Sequence, residues 1–393
     1  MTVIDLGELG PDFTANPYPY YAELRKAGPV HAVRTAYGMD AWLVVGHEEA
    51  RAALTDPRLS KSASVVDFVP LEEEAVGLHL LAVDPPDHTR LRKLAAGAFT
   101  GRRVENLRPR VQRLADELVD AMLPAGRADL VDSFAFPLPI IVICELLGVP
   151  AEDRDTFRRW SNELVTPSGE FSEQEAVEGF AAYLDELIED RRASRPTDDL
   201  LSALLAHSAE DGDRLSRSEL RAFVYLLLIA GHETTVNLIT NTVRALLTHP
   251  DQLAALRADF GLIDGAVEEG LRYEGPVENA TLRFSREPVA FGDVVVPARS
   301  TVLVCLASGD RDPDRFPDPD RFDIRRPAQG HIAFGHGIHH CLGAPLARLE
   351  ARTAIRALLR RCPDLGLDVH PAAVTWREGM LVHGPRLLPV RWV

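Results

Sequence analysis

Apolar residues recur at three- and four-residue steps through most of the chain, a period that predicts helices. The pattern places them at Tyr20–Lys26, His47–Leu54, His88–Ala98, Val104–Met122, Pro139–Leu147, Glu152–Leu164, Glu173–Ala193, Asp198–His207, Arg217–Leu247, Pro250–Ala258, Ile263–Tyr273 and Leu342–Arg361. Strand-like runs are few: Ala41–Val45, Val294–Val296 and Thr301–Leu306, with Val382 and Leu387–Trp392 read as a closing hairpin. Two stretches keep no period. Ser60–Val83 carries Glu72, Glu73 and Glu74 and reads as a long loop, which in a compact fold is usually functional. Asp310–Pro327 is dense in Asp, Pro and Arg. Asp84-Pro-Pro-Asp87 is a turn and helix-start signal. With no Gly/Ser linker and no repeat, the expected fold is mainly α with small β-sheets, in a single domain over residues 1–393.

The most apolar run, Ala222–Gly231, is half the length a membrane helix needs, about 20 residues. His232, Glu233, Thr234, Thr235, Asn237 and Asn241 interrupt the longer span around it, so a core helix is expected and no membrane association. The N-terminus lacks the basic and apolar regions of a secretory signal. Charge sharpens this picture: 43 basic against 59 acidic residues leave −16, which disfavours nucleic acid. Cys144, Cys305, Cys341 and Cys362 are too scattered for a disulfide framework, and a cytoplasmic location is expected. Only Lys26, Lys61 and Lys93 are lysines; the other basic residues are arginines.

One segment concentrates chemistry: Ala333-Phe-Gly-His-Gly-Ile-His-His-Cys-Leu-Gly-Ala-Pro-Leu-Ala-Arg348. Gly335, Gly337 and Gly343 flank Cys341, and a helix begins directly after it. Glycines allow tight turns and close approach of the backbone to a partner. Amides at a helix start favour a thiolate. Cys341 is therefore built as an anionic ligand in a rigid turn. A zinc site from His331, His336, His339, His340 and Cys341 is conceivable, though no regular spacing fits it. Gly335-His-Gly337 departs from a dinucleotide fingerprint, and His232-Glu233 lacks the second histidine of a zincin.

Phe334-x-x-Gly337-x-x-x-Cys341-x-Gly343 resembles the haem-binding signature of cytochromes P450. Ala230-Gly231-His232-Glu233-Thr234-Thr235 is similar to the oxygen-binding segment of that family's central helix, and Glu269-Gly270-Leu271-Arg272 to its ExxR pair. The three motifs occur in the family's order, and the likeness runs over nearly the whole chain. The resemblance implies a triangular helical prism, with haem b (iron protoporphyrin IX) between the central helix and the helix after the cysteine loop. It implies Cys341 as the iron ligand, with Phe334 shielding the sulfur and Gly335 and Gly343 in the loop around it. His88, Arg92, Arg283 and His339 are the implied partners of the haem propionates. Ala230 and Gly231 would open a groove for O2 in a bent, bulged helix. Glu233 and Thr234 would relay protons. Gly270 departs from the larger apolar residue usual there, which is expected to loosen packing.

The implied activity is that of a haem-thiolate monooxygenase, hydroxylating or epoxidising a hydrophobic small molecule. A macrolide or other polyketide of antibiotic biosynthesis is the expected substrate. A terpenoid, steroid or xenobiotic substrate, a noncatalytic haem protein and a zinc-dependent hydrolase are the alternatives. Electrons would come from a ferredoxin and ferredoxin reductase. The enzyme is expected to be a monomer. Arg348, Arg352, Arg356 and Arg360, four residues apart, form a winding basic stripe. With Arg92, Lys93, Arg102 and Arg103 it would suit an acidic ferredoxin. Expected pocket walls are Ser60–Val83, Thr166–Phe171, Leu227–Ala230, Val277–Ala280 and Met380–Val382. Glu72, Glu73, Glu74 and Glu278 are candidates to meet a cationic amino sugar.

Overall fold

In a computed structural model, residues 3–68, 70–165, 171–195, 197, 199–206 and 215–392 are described. Helices dominate, and the longest is the central helix, Arg217–Thr248. It starts on a capping box: the Ser216 side chain accepts from Glu219 N, while Glu219 reaches back to Ser216 N at 2.7 Å. Glu219 also pairs with Arg90, which joins that start to the helix Asp87–Ala98. Among the described residues this helix alone is long and apolar enough to cross a membrane, yet 67% of its most apolar stretch is buried inside the protein. It packs on the helix Pro137–Leu147, on the ExxR helix Ile263–Tyr273, and on the helix after the cysteine, Ala344–Arg361. The last of these packs in turn on Gly101–Met122 through residues such as Ile355, Leu358 and Val111, all fully buried. Apolar side chains at these helix crossings form the largest core.

A six-stranded sheet stands beside the helices, in the order Ile4–Asp5, Val30–Arg34, Asp40–Val44, Thr301–Val304, Arg283–Ser285, Leu59–Ser60. The register sets Trp42 against Val302 and Val302 against Arg283, so the sheet carries Arg283. The pattern missed the strand Val30–Arg34, and Thr301–Leu306 ends early because Leu306–Gly309 coils into a short helix. The long loop Ser60–Val83 contains a short helix, Leu71–Ala75. The closing hairpin does not form as expected: Pro389–Arg391 pairs with Gly366–Leu367 and Arg127–Asp129, and Val382 bridges to Val277 instead. The partner strands are two or three residues long and carry Arg127, Asp129 and Arg391 among their apolar residues, too short a pattern to choose the partner.

Candidate active site

The cysteine loop is shaped by two left-handed residues, Gly335 at φ 72° and Gly337 at φ 74°. A Cβ on Gly337 would stand 2.8 Å from Thr55 Cγ2 and 3.2 Å from the Leu54 carbonyl, so glycine is required twice over. Gly343 differs: its φ is −80°, and a Cβ there would stand 3.8 Å from the Cys341 sulfur. Its small size clears space beside the sulfur and relieves no backbone strain. The loop is tied down by Cys341 N donating to Phe334 O (2.9 Å) and Ile332 N donating to Asp310 Oδ1 (2.7 Å). Arg92 Nη2 donates to His340 O at 2.6 Å. Cys341 alone among the four cysteines is exposed. The protein mass around it nevertheless desolvates the sulfur and pushes the thiol up, opposed by the Gly343 and Ala344 N–H groups and by Arg92 and Arg348. The sulfur is thus open to a partner yet flanked by N–H groups and arginines that favour an anionic ligand.

A second feature is a buried cluster of basic side chains. His88 (2% exposed), Arg283 (5%) and Lys61 (5%) are inside, and the His88 and His339 rings stand 4.3 Å apart. Burial pushes Lys61 well below its usual range, Arg283 down to about 10 and His339 down to about 3; His88 and Arg92 are lowered too. Mutual repulsion adds to desolvation in Lys61, His88 and His339. The acid that acts on Lys61, His88 and Arg283 is Asp84, and it is already held by Ser60, Lys61 N and Arg286. His88 Nε2, both ring nitrogens of His339, and Arg283 Nε are buried without a hydrogen-bond partner. Buried donors in surplus of acceptors fit a group with two carboxylates, and the adjacent thiol fits an iron with one protein ligand. The four residues expected from sequence meet here. Lys61 was missed; its side chain donates to Thr281 O, Thr281 Oγ1 and Leu282 O at 2.5–2.9 Å. Its rarity in this chain was the one available signal.

On the central helix an open strip interrupts the buried faces: Ala230 is exposed and Gly231 and Thr234 are half-buried. Thr234 Oγ1 donates to Ala230 O at 2.9 Å, a bond back to the carbonyl one turn earlier. The expected bulge is not present, since the helix is regular from Arg217 to Thr248. Gly231 has a packing reason instead: a Cβ would meet Ile143 at 3.2 Å. Glu233 is 1% exposed and turned away from the strip, with Arg377 Nη1 at 3.2 Å and His232 Nε2 at 3.7 Å. His232 bonds Leu228 O through Nδ1 and Ser161 Oγ through Nε2, and burial lowers its pKa, so the cation facing Glu233 is Arg377. No local sequence signal marks Arg377, which arrives from a distant loop. Thr235 bonds Glu350 on the helix after the cysteine, and burial pushes that carboxyl up to about 8.

The ExxR pair behaves as expected. Glu269 and Arg272 are fully buried and joined by two bonds of 2.8 Å. Arg272 also donates to the carbonyls of Asp310, Pro319 and Arg321, which uses all five of its donors. Gly270 does not loosen this region: a Cβ there would fall 2.2 Å from Thr242 Oγ1, so the glycine allows the helices to touch. The basic stripe is partly spent. Arg348 is bound to Glu268 and Arg352 to Asp264, while Arg360 lies over the Phe260 ring. Lys93 and Arg102 remain exposed.

Val277–Ala280 and Met380–Val382 meet, through Glu278 N donating to Leu381 O (2.9 Å) and Asn279 Nδ2 donating to Met380 O (2.7 Å). Leu381, Phe68 and Leu78 present large exposed apolar side chains. Thr166–Glu170 and the side chain of Glu72 lie outside the described residues. Glu278 leaves the amino-sugar set, because it is buried and bonded to the Tyr21 hydroxyl. Glu74 is exposed and Glu73 half-buried. Among the described residues no group of three or more His, Cys, Asp or Glu could hold a metal ion, and the loop histidines go separate ways: His331 to Glu268, His336 to Arg51, His339 to His88. The zinc-hydrolase reading is thereby set aside.

Residues 157–364 match the family model described as cytochrome P450. The chain is 59% identical to the cytochrome P450 monooxygenase PikC of Streptomyces venezuelae, covering 99% of this chain and 94% of that protein. It is 48% identical to the vitamin D(3) 25-hydroxylase of Pseudonocardia autotrophica, over 96% of this chain and 94% of the relative. The structure of the tirandamycin C-bound P450 monooxygenase TamI superposes with a TM-score of 0.90 at 43% identity, covering 99% of this chain and 100% of that one.

Proposed function

This chain belongs to the cytochrome P450 family and is a haem-dependent monooxygenase, and from that premise we propose that it hydroxylates or epoxidises a macrolide or related polyketide, with Cys341 as the iron ligand. The observation that carries the substrate class is the full-length likeness to the mycinamicin IV hydroxylase/epoxidase of Micromonospora griseorubida, 45% identical over 95% of this chain, and to the polyketide biosynthesis cytochrome P450 PksS of Bacillus subtilis, 39% identical over 97%. When bound, the haem supplies the centre that takes up electrons and activates O2, and a thiolate ligand favours O–O cleavage.

The chain's own residues do the rest. Gly343 and Ala344 N–H groups and the Arg92 and Arg348 charges favour the ionised sulfur, and Phe334 backs the loop. His88, Arg92, Arg283 and His339 would hold the propionates, with Lys61 buried behind them. Thr234 can carry a proton at Oγ1 on the open strip, where Ala230 leaves room above it. Glu233 supplies a carboxylate one residue away; turning it toward the strip would break an ion pair with Arg377 but no hydrogen bond. Leu381, Phe68 and Leu78 suit a large apolar substrate.

Bacterial members of the family take electrons from redox partners such as a ferredoxin and its reductase. For this enzyme a ferredoxin would dock by charge over Lys93 and Arg102, in the cytoplasm and on a monomer. Lys93→Glu with Arg102→Glu should slow ferredoxin-supported turnover most at low salt, with substrate binding unchanged; equal turnover would reject that surface.

Substrate-induced spin-state titration tests the class. A polyketide panel should give saturable shifts, stronger for an aminoglycosylated macrolide than for its aglycone, with the preference reduced in Glu73→Gln plus Glu74→Gln. Shifts confined to steroids would move the assignment to the class of the vitamin D(3) relative. Equal effects of the two substitutions on both ligands would remove the amino-sugar contact.

A further inference from the structure

Beneath the cysteine loop lies a carboxylate that the oxygen chemistry itself does not call on. Glu268 precedes Glu269 of the ExxR pair on the same helix and serves a different set of partners. Its Oε1 accepts from Arg348 Nε at 2.6 Å, and its Oε2 accepts from Arg348 Nη2 at 3.0 Å. The same Oε2 faces His331 Nε2 at 3.1 Å. Ala333 N donates to His331 Nδ1 at 3.3 Å, so the imidazole proton sits on Nε2 and is given to Glu268. His331 precedes Cys341 in the chain and Arg348 follows it. One carboxylate therefore ties together the two limbs of the loop. Burial works against its ionisation, but the bonds from His331 and Arg348 hold it down at about 2, so it stays charged at working pH.

Arg348 links this carboxylate to the sulfur. Its guanidinium stands 4.5 Å from the centre of the Phe334 ring, and Phe334 O accepts from Cys341 N. Its charge also acts on the Cys341 thiol.

We propose that Glu268 is a positioning residue for the proximal side of the haem: it fixes Arg348 against Phe334, joins the limbs of the cysteine loop, and offsets part of the arginine's charge at the sulfur. This rests on Cys341 being the iron ligand. Outer partners of a metal ligand tune its donor strength and hold its geometry. A positive charge left unbalanced near the sulfur favours the state with one more electron.

The test uses the haem-loaded enzyme and two readouts, the reduction potential and the persistence of the red-shifted ferrous–CO Soret band. Glu268→Gln should raise the potential and hasten loss of that band by about tenfold. Arg348→Gln should lower the potential, and the double variant E268Q/R348Q should return it toward the parent value. A change in thermal stability alone, with the potential unmoved in both single variants, would overturn the proposal and leave Glu268 as a mere loop tie. A shift in E268Q that persists in the double variant would overturn it equally. Should E268Q not hold haem, the R348Q potential still decides: a lowered value supports the charge balance, and an unchanged one refutes it. If the parent enzyme itself gives no red-shifted Soret band, the ligand assignment falls and this proposal falls with it.

Discussion

Two buried charged regions lie on either side of the cysteine loop, and they are built on opposite terms. Around Arg272 every donor has an acceptor: Glu269 takes two bonds, three carbonyls take the rest, and Glu269 also accepts from Asp323 N and Arg326 Nε. Around Arg283, burial lowers Lys61, His88, Arg92 and His339, neighbouring positive groups lower Lys61, His88 and His339 further, and ring and guanidinium nitrogens lie buried without partners. The first region is complete within the protein. The second is in debt and becomes complete only with an added dianion. Buried charge of the first kind holds the fold; buried charge of the second kind costs stability and marks a site.

The contrast is sharpest in what substitution should do. Arg272→Ala leaves Glu269 buried and strips three carbonyls of their donor, so unfolding of the haem-free protein should become easier by about 3–5 kcal/mol. Denaturant titration would measure it, and a loss under 1 kcal/mol would mean the pair is no more than a surface bridge. Arg283→Gln should act the other way round. It relieves repulsion, so the haem-free protein should be as stable as the parent or more so, while haem affinity falls by about 10- to 100-fold. A loss of stability without a loss of haem affinity would break the comparison. Gly270→Ala belongs to the complete region and should cost about 1–3 kcal/mol, because the new methyl presses on Thr242.

The smallest expected effect concerns Glu350, a buried carboxyl with a hydroxyl partner in place of a cation. Its pKa rises from 4.5 to about 8, so the folded state binds the extra proton between those values. Stability should therefore fall as pH rises through that window, and Glu350→Gln should flatten the slope. An unchanged pH profile of thermal unfolding in E350Q would show that the carboxyl ionises in place.

Much of this contrast was readable before the fold was known. Helix periods located the long helices to within a few residues, because each buries a continuous apolar stripe. Cys341, His88, Arg92, Arg283 and His339 stood in motifs whose likeness to a family carried their expected roles, and the fold brings the four basic residues of that set into one cluster. Residues that act through tertiary contact left less trace. Arg377 reaches Glu233 from a loop far along the chain, and Lys61 is distinguished in sequence only by being a lysine. Glu268 was hidden beside a better-known neighbour. Gly231 and Gly270 were misread for one shared reason: sequence shows that a glycine is present, but not which side chain would occupy its missing methyl. The arginine stripe was likewise visible as a period, whereas the acids that neutralise part of it sit on another helix.

The claim on which both regions converge is that Cys341 gives its sulfur to the haem iron. Reduced enzyme under carbon monoxide should absorb in the family's far-red-shifted Soret position, and Cys341→Ser should lose that band while retaining bound haem. A parent enzyme without the band, or a serine variant that keeps it, would contradict the account.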